Sequence, residues 1–405
     1  MVTRQPFDLS LPADNGLRRG QTTGACATAA VKAALMLLLR GERPAEVAIS
    51  LPDDRYYLMV PVMRVNSLSD GSARADVRKD GGDDPDNTDG AVIFAVVRPN
   101  HTGRIRFLAG PGVGTVTEPG IRVPVGEPAI NPAPREMMRC AVDEVLEDAP
   151  NPGFDLEIGC ENGEVIAKKT FNPRLGIVGG ISIIGTTGIV EPMSMAAYMA
   201  SIEVYIRVAL GGGAESVAYA PGKLGIAYAR HSLHLPAKRV VQVSNFVGFA
   251  LDATQHVLAE ENARLRILWM LGHPGKLAKI LDDIWDTHSG KSRMAMGAVA
   301  RVAAECGFAA EDVAKIEHAN TVEAAMELLK ADPRAHALWS EVEDRVARLM
   351  QARLSRVERV EVRLFGLHGM ALVRRHEPIN ATDNARRKDA KFCKAKIDKS
   401  ILRKP

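Results

Sequence analysis

The chain has 405 residues, of which 46% are hydrophobic and 25% are charged, and its formal net charge is +3. These values are ordinary for a globular protein with a sizeable core, and the length is sufficient for two domains. They exclude a low-complexity or strongly charged disordered chain, and no apolar run approaches the ~20 residues that a membrane span requires.

The amino terminus and the cysteines indicate a compartment. The first residues, "MVTRQPFDLSLPADNG", lack the apolar segment of a signal peptide. The five cysteines are scattered and show no C-x-x-C spacing, which argues against a disulfide framework and against a zinc site. We therefore expect a cytoplasmic protein with no resident metal and no membrane association.

The first predicted helix lies in "TTGACATAAVKAALMLLLRG". It should begin near Thr22 or Thr23 and end at Gly41. The strand-like segments "EVAISLP", "RIRFLAG" and "FDLEIG" lie between turns in the same part of the chain. This pattern predicts an α+β domain over residues 1–192, with glycine-rich loops.

Five aspartates are packed among glycines in "VRKDGGDDPDNTDGA" (77–91). The acids are not spaced as in a calcium-binding EF-hand loop, and a magnesium site has no further support. Acid clusters of this kind more often build turns.

The segment "GGISIIGTTGIVEPMS" (179–194) combines a strand, a glycine turn and a helix start. Ile181, Ile183 and Ile184 suit a buried strand, and Ser194 has the side chain of a helix N-cap. The turn Gly185–Gly188 could therefore be a cradle of free backbone N–H groups that binds an anionic or polar ligand. The alternative is a tight turn whose hydroxyls only cap the backbone.

A second Thr-Thr-Gly turn, Gly20–Gly24, also precedes an alanine-rich helix. The two turns could be separate capping solutions or two walls of one anion-binding cleft, and the sequence does not decide between them.

Strands and helices alternate after Pro192. A helix over about 194–210 is followed by the strands "SVAYAPG", "RVVQVSN" and "RLRILWMLG", with helices between them. This alternation predicts an α/β domain over residues 193–373, with a small parallel sheet that binds ligands at the carboxyl ends of its strands. The segments "VERVEVRLFG" and "GMALVRR" could form a closing strand pair.

Two glycine motifs exclude common nucleotide sites. "GPGVGTVTEPG" (110–120) is followed by Pro-Gly rather than by a helix, so it is no Rossmann fingerprint. The run Gly272–Lys276 is too short for a phosphate-binding P-loop, and Leu277 stands where Ser or Thr is needed. The residues alone thus predict an enzyme for a small anion, of undetermined chemistry.

The last segment, residues 374–405, has 11 Lys and Arg against 4 Asp and Glu and lacks an apolar period. Such a tail could bind nucleic acid or an anionic surface. We expect instead a solvated, disordered tail and no nucleic-acid partner.

Several stretches together resemble the CbiD family of cobalamin biosynthesis. The clearest are "LRRGQTTGACATAA", "KDGGDDPDNTDGA", "GVGTVTEPGIRVPVGEPAINPAP" and "IAKKTFNPRLGIVGGISIIGTTGIVEPMS". Weaker support comes from "SNFVGFALDAT", "GHPGKLAKI" and "DTHS". The resemblance covers roughly residues 17–290 and extends more thinly to about 373.

The resemblance implies a methyltransferase that uses S-adenosylmethionine. The methyl group would go to carbon 1 of cobalt-precorrin-5B, a tetrapyrrole, giving cobalt-precorrin-6A. The implied fold is a first domain like a permuted ribosomal-S5 unit, followed by the small α/β domain. The oligomeric state is left open, and a homo-oligomer is allowed.

This reaction suggests roles for particular residues. The acceptor carries acidic side chains, so its pocket should supply cations and polar donors; the candidates are Arg18, Arg19, Thr22, Thr23, Lys168, Arg174 and Lys276, with Lys169 and Lys279 nearby. For the donor, the amides of Gly185, Thr186, Thr187 and Gly188 could take the methionyl carboxylate, and Glu191 the ribose hydroxyls. Asp80, Asp84 and His273 are the candidates for a general base, with turn building and helix capping as the alternatives.

Two other functions remain open at this point. A non-catalytic corrinoid carrier would share the basic pocket but would need no donor site. A nucleotide-dependent kinase built on Gly272–Lys276 is weakened by the missing P-loop spacing.

Overall fold

The computed structural model describes residues 4–290 and 292–373. These residues form a mixed α/β protein with 11 α-helices and 18 strands, several of them only two residues long. The basic tail, 374–405, lies outside the described residues.

Residues 4–192 contain most of the strands. The strands are β1 (Gln5–Pro6), β2 (Gly20–Gln21), β3 (Glu46–Ser50), β4 (Tyr56–Pro61), β5 (Arg64–Ser67), β6 (Ala73–Arg78), β7 (Val92–Pro99), β8 (Ile105–Ala109), β9 (Gly112–Val113), β10 (Thr115–Val116), β11 (Phe154–Cys160), β12 (Ile177–Val178), β13 (Gly180–Ile181) and β14 (Ile189–Val190). The helices are α1 (Thr23–Arg40), α2 (Pro132–Leu146) and α3 (Gly163–Ala167), with a 3-10 turn at Asn172–Leu175.

A five-stranded sheet in the order β5-β6-β7-β11-β8 forms the centre of this part. Its neighbours are antiparallel except β11 and β8, which are parallel. Helix α1 packs on β6 and β7 and presents small side chains such as Ala29 and Ala33, both fully buried. Because alanines allow a helix to approach a sheet closely, α1 becomes the core helix of this part.

Helix α1 is long and apolar enough to cross a membrane by length and composition alone. Its 18 residues have a mean hydropathy of 1.4, but 72% of them are buried in this fold.

The prediction for the ends of α1 is confirmed. The Thr22 hydroxyl accepts a hydrogen bond from the Ala25 amide at 3.1 Å and caps the amino end. Gly41 ends the helix in the left-handed conformation, with φ of 72°.

Residues 193–373 contain four strands and most of the helices. The strands are β15 (Ser216–Ala220), β16 (Val240–Gln242), β17 (Leu265–Gly272) and β18 (Val357–Leu364). The helices are α4 (Met195–Leu210), α5 (Lys223–His231), α6 (Val247–Glu260), α7 (Pro274–Leu277), α8 (Met296–Glu305), α9 (Ala310–Glu317), α10 (Val322–Leu329) and α11 (Ala335–Ala352), with 3-10 turns at Ala237–Arg239 and Ala278–Asp282.

These four strands form a parallel sheet in the order β16-β15-β17-β18, as the alternation of strands and helices predicted. Its central strand β17 is buried on both faces. Leu268 and Met270 belong to a large core with α4, α6, α8 and α11, and Ile267 and Trp269 belong to a smaller core beneath α5. The large core draws on residues 202–373, and the core around α1 draws on residues 25–189.

Two local predictions were wrong. Ile184 is not buried with Ile181 and Ile183; it is 49% exposed, because the strand ends before it and the chain turns. "GMALVRR" does not form the second strand of a pair, because the described part of it makes only an isolated bridge, between Phe365 and Ala371. β18 instead pairs with β17 at the edge of the parallel sheet.

Candidate active site

The two Thr-Thr-Gly turns lie against each other. The amide of Thr22 donates to the Gly188 carbonyl at 3.0 Å, and the amide of Gly24 donates to the Ile184 carbonyl at 2.9 Å. Next to these contacts, β2 pairs with β14 in antiparallel register. The two similar sequences therefore build one structural unit, which we call the double turn (20–24 and 184–190).

The threonines of the first turn are used inside the protein. Besides the Thr22 cap, the Thr23 hydroxyl accepts from the Ile184 amide at 2.9 Å and lies 3.2 Å from the Ile184 carbonyl. Thr22 and Thr23 are only 8% and 3% exposed. With both hydroxyls buried and engaged, this geometry does not support the substrate-binding role predicted for Thr22 and Thr23.

The second turn leaves backbone donors free. Among the described residues, none accepts a hydrogen bond from the amides of Gly185, Thr186, Thr187 or Gly188. Thr186 and Thr187 are exposed, and the Thr187 hydroxyl bonds to Ile189. Gly185 is half-buried and Gly188 is buried, so the free amides of Thr186 and Thr187 are the ones that an anion could reach most easily.

Glycine is required at both ends of this turn. Gly185 has φ of +134°, and a Cβ there would lie 2.3 Å from Thr22 Oγ1. Gly188 has φ of +83°, and a Cβ there would lie 2.7 Å from Leu51 Cδ2. The conformation that frees the amides therefore depends on these two glycines.

Two ion pairs flank the double turn. The Arg18 guanidinium binds both Asp80 oxygens, at 2.7 and 3.0 Å, and Arg19 Nε donates to Glu191 Oε1 at 2.7 Å. The hydrogen bond from Arg18 lowers the pKa of Asp80, opposed in part by desolvation. Asp80 is therefore an ionised and doubly paired group, which makes it a poor proton acceptor.

Asp84 connects the acidic loop to the start of α4. Its Oδ1 accepts from the Met193 amide at 2.9 Å, and no described residue donates to its second oxygen. The Ser194 hydroxyl then accepts from the Ala197 amide at 3.2 Å, so the N-cap prediction for Ser194 is confirmed. Asp84 thus holds the chain where α4 begins and keeps one carboxylate oxygen free.

The other acids of the loop build turns. Asp83 accepts from the Arg18 amide, Asp89 from the Gly81 amide, and Asp86 from the Thr88 amide and the Lys79 ammonium. Within residues 4–290 and 292–373, no group of three or more His, Cys, Asp or Glu side chains is arranged to hold a metal ion.

Lys168 and Arg174 lie on the exposed surface of the same part. Neither forms an ion pair with a described residue. The Arg174 guanidinium lies 5.7 Å from the centroid of the Phe171 ring, which in turn contacts Tyr205 of α4. Both cations are therefore available to an anionic ligand.

His273 and Lys276 lie elsewhere, at the carboxyl edge of the parallel sheet. His273 caps α7: its Nδ1 accepts from the Gly275 amide at 3.0 Å, and its Nε2 lies 2.8 Å from Glu323 Oε2. Because both ring nitrogens are engaged, His273 is poorly placed to take a proton from a substrate.

Of the two lysines at this edge, Lys279 is buried and Lys276 is half-buried, and neither forms an ion pair with a described residue. Lys279 is 2% exposed, and its ammonium lies 2.9 Å from the Ser292 hydroxyl and 3.4 Å from the Thr287 carbonyl. Burial lowers the pKa of Lys276 and of Lys279, and for Lys276 the neighbouring Lys279 acts in the same direction. Asp286, the carboxylate that opposes these shifts, is hydrogen-bonded to Asn245 at 2.6 Å.

The sequence analysis did not single out Asn245, Asp286 and Thr287, which the fold brings together beside Lys279. The available signal was their position: Asn245 follows a predicted strand of a parallel sheet, where polar side chains gather at the carboxyl edge. Asp286 and Thr287 were reachable only through the fold, because a bridge between Phe246 and Asp286 brings the two segments together.

Helix α4 runs between the two regions. Its amino end is held by Asp84 through Met193, and Tyr198 packs against Phe246 with ring centroids 5.8 Å apart. Two open surface cavities are lined by none of the predicted residues. One, of about 440 Å³, is lined by Arg122, Arg135 and Arg139 among others, and the second, of about 240 Å³, by Arg301, Arg345 and Leu349 among others.

Comparison with known families settles the family. The CbiD model matches residues 11–192, and the model described as CbiD, C-terminal domain, matches residues 286–376. A protein of Ralstonia nicotianae named cobalt-precorrin-5B C(1)-methyltransferase is 63% identical over 369 residues, which cover 91% of this chain and 96% of the relative. The chain belongs to the CbiD family.

Other CbiD proteins are also similar. A relative of the same name from Chromobacterium violaceum is 60% identical, over 91% of this chain and 98% of its own length. A solved structure, the cobalamin biosynthesis protein (cbiD) from Archaeoglobus fulgidus, is 28% identical over 68% of this chain and 84% of its own, with a TM-score of 0.36.

Proposed function

We propose that this chain transfers the methyl group of S-adenosylmethionine to carbon 1 of cobalt-precorrin-5B, giving cobalt-precorrin-6A in cobalamin biosynthesis. The observation that carries this proposal is near-full-length identity of 63% and 60% to proteins named for that transfer. The reaction is an in-line attack of an electron-rich ring carbon on an activated methyl group. The protein's main contribution is then to align two bound reactants and exclude water, which can supply several kcal/mol of the barrier.

The double turn is the proposed donor site. The free amides of Gly185–Gly188 would bind the methionyl carboxylate, and Glu191 would accept hydrogen bonds from the ribose hydroxyls. Glu191 uses Oε1 for Arg19 but keeps Oε2 free among described residues, and its side chain is 44% exposed. A carboxylate here also favours a cationic sulfonium.

The acidic arms of the macrocycle need cations. Lys168 and Arg174 are exposed and free of described ion pairs, and Lys276 is a further free cation at the sheet edge. Arg18 and Arg19 are already paired with Asp80 and Glu191, so we give them the role of holding the donor site in shape.

Asp84 is the proposed general base, should proton loss from the macrocycle need one. Its free oxygen supports this choice over Asp80, whose two oxygens bind Arg18, and over His273, whose two nitrogens are engaged. The pKa of a paired carboxylate such as Asp80 is lowered, which weakens it as a base.

We further propose two domains, 1–192 and 193–373, the first a permuted S5-like unit, with the reactants between them. The separate cores and the end of the first family match at residue 192 support this division. A cytoplasmic location is supported by the free thiols of Cys26, Cys140, Cys160 and Cys306. The proposal is compatible with a monomer or with a homo-oligomer.

Glu191→Gln tests the donor site. We expect the variant to fold normally and to lose about tenfold to a hundredfold in affinity for S-adenosylhomocysteine, because a charge-assisted hydrogen bond is worth about 1.5–3 kcal/mol. Isothermal titration measures the change.

Arg19→Gln is the matched control for this test, since it breaks the same ion pair but leaves the carboxylate. Its donor affinity should fall by less than that of Glu191→Gln, because the carboxylate stays in place although the arginine that positions it is lost. Equal losses in both variants would remove Glu191 from the donor site, and a wild-type protein that binds no S-adenosylhomocysteine would favour a corrinoid carrier.

A further inference from the structure

A short sequence occurs twice at the parallel sheet. Pro-Gly-Lys-Leu stands at residues 221–224, directly after β15, and again at 274–277, one residue after β17. Because β15 and β17 are hydrogen-bonded neighbours running in the same direction, the two turns lie side by side at the carboxyl edge of the sheet.

The connections of the strands put a topological switch point between these two turns, and we call the space outside it the crevice. In the order β16-β15-β17-β18, the chain leaves β15 for a strand on one side and then returns to β17 on the other. Parallel sheets open a crevice outside the carboxyl ends of the strands where the order reverses in this way, and ligands bind there.

Two glycines shape the first turn and the helix that follows it. A Cβ on Gly225 would lie 2.0 Å from the Leu271 carbonyl, so glycine lets α5 pack directly on β17. Gly222, at the amino end of α5, has no side chain to cap the helix and no atom within 4 Å of a Cβ position. The first amides of this nine-residue helix are therefore open towards the crevice region, next to Lys223.

Lys276, in the second turn, is a cation without a partner. It is half-buried, and its ammonium forms no hydrogen bond or ion pair with any residue in 4–290 and 292–373. The ammonium of the neighbouring Lys279 contacts only neutral oxygens. The Asp286 carboxylate accepts a hydrogen bond from the Asn245 side-chain amide. A second carboxylate at this edge, that of Glu323, is bonded to His273, and neither carboxylate is within ion-pair distance of Lys276.

A buried hydroxyl at the same edge also lacks a partner. Thr287 is 1% exposed, and its Oγ1 has no hydrogen-bond partner among the described residues, although its amide donates to Asn245 and its carbonyl lies near Lys279. Buried hydroxyls are rarely left without a hydrogen-bond partner in native proteins. A hydroxyl without a protein partner therefore indicates that a ligand or a water molecule binds there.

We propose that the crevice between the two Pro-Gly-Lys-Leu turns binds a carboxylate arm of the polyanionic acceptor, with Lys276 as the main charge partner and Lys223 and Thr287 in support. This inference rests on the proposed function. The acceptor is the better match because it carries several carboxylates and no cation, whereas the donor combines one carboxylate with a sulfonium that Lys276 and Lys279 would repel.

The experiment uses two corrinoids that differ in their arms. Dicyanocobyrinic acid carries free carboxyl arms, and dicyanocobinamide carries the same ring and cyanide ligands with amidated arms. We expect Lys276→Met to weaken dicyanocobyrinic acid binding by about tenfold to a hundredfold, measured by absorbance titration, and to leave dicyanocobinamide binding unchanged. Lys223→Met and Thr287→Val should each give a smaller loss, of a few fold.

Lys330→Met is the matched control, because Lys330 is an exposed lysine paired with Glu327. Unchanged dicyanocobyrinic acid binding in Lys276→Met, an equal loss in Lys330→Met, or no binding of the acid by the wild type would overturn the inference. A selective loss of S-adenosylhomocysteine affinity in Lys276→Met would overturn it too, by moving the donor to this crevice.

The same titrations keep this inference apart from the proposed function. If the wild type binds dicyanocobyrinic acid through Lys276 but binds no S-adenosylhomocysteine, the methyl-transfer proposal fails and the carboxylate site stands. If it binds S-adenosylhomocysteine and Lys276 has no effect on the acid, only the crevice is wrong.

Discussion

Two regions of the molecule differ in whether their cations have carboxylate partners. One is the double turn with its acidic loop, and the other is the carboxyl edge of the parallel sheet. In the first region, Arg18, Arg19 and Lys79 each have a carboxylate partner within 2.7 Å. In the second, Lys276 has no described partner and Lys279 has only neutral oxygens.

This difference separates charges that hold the fold from charges that remain available. A paired ion stabilises the native state or at least offsets its own burial, whereas an unpaired buried cation costs stability. The free groups of the double turn are neutral amides, and those of the sheet edge are cations. The first suits the carboxylate of the donor without placing a full positive charge beside its sulfonium, and the second suits an anionic acceptor.

Asp86→Ala should have the largest effect on this comparison. Asp86 is the carboxylate that pairs with Lys79, whose side chain is 1% exposed, so the variant leaves a buried ammonium without its counter-ion. We expect a loss of about 3–5 kcal/mol in the free energy of unfolding, measured by urea denaturation.

Asp83→Ala is the control in the same loop. Asp83 is exposed and accepts one backbone hydrogen bond, from Arg18, so its loss should be near 1 kcal/mol. Equal losses in the free energy of unfolding would contradict the prediction, because they would show that the ion pair with the buried Lys79 gives Asp86 no extra stabilising role.

The pH dependence of Asp86 has a defined sign. Burial alone would raise its pKa, but the Lys79 charge and the hydrogen bonds from Lys79 and Thr88 bring the pKa below its ordinary value of 3.8. Its contribution to stability is therefore complete above that ordinary value and is lost as the pH falls through the lower folded pKa. Asp86→Ala should lack this part of the acid transition.

Gly225→Ala should have an intermediate effect. A methyl group at Gly225 would meet the Leu271 carbonyl and push α5 away from β17, at a cost of about 1–3 kcal/mol. Gly222→Ala should change stability by less than about 0.5 kcal/mol, since its φ of −159° suits any residue and the space is open. Thermal melts of the two variants check this, and similar melting temperatures would show that the helix is not held at the distance described.

Lys276→Met should have the smallest effect, and in the opposite direction. Removing a half-buried cation without a described partner should raise the free energy of unfolding by about 0.5–1 kcal/mol, while it weakens binding of the acidic corrinoid. A destabilised Lys276→Met variant would mean that the lysine has a structural partner.

The pH profile sharpens this last prediction. Because the folded pKa of Lys276 is lowered from 10.5, the wild type should gain stability as the pH rises through the folded pKa towards 10.5. The advantage of Lys276→Met should therefore shrink over that range. Urea denaturation at several alkaline pH values measures it.

The sequence by itself determined the local features. Helix α1 with its Thr22 and Gly41 caps, the Ser194 N-cap and the alternation that gives the parallel sheet all follow from residue types at short spacing. The family also followed from the sequence, because long peculiar stretches such as 167–194 carry it. All of these features depend on residues that are close together in the chain, so the sequence is sufficient to predict them.

Only the tertiary structure decided which polar groups are free. Thr22 and Thr186 have the same side chain in similar turns, yet Thr22 is buried and bonded inside the protein and Thr186 is exposed. Asp80 and Asp84 stand four residues apart in one loop, yet both oxygens of Asp80 meet Arg18 and one of Asp84 remains free. The partners of these groups come from distant segments, so local sequence could not predict which donors, acceptors and cations are left for a ligand.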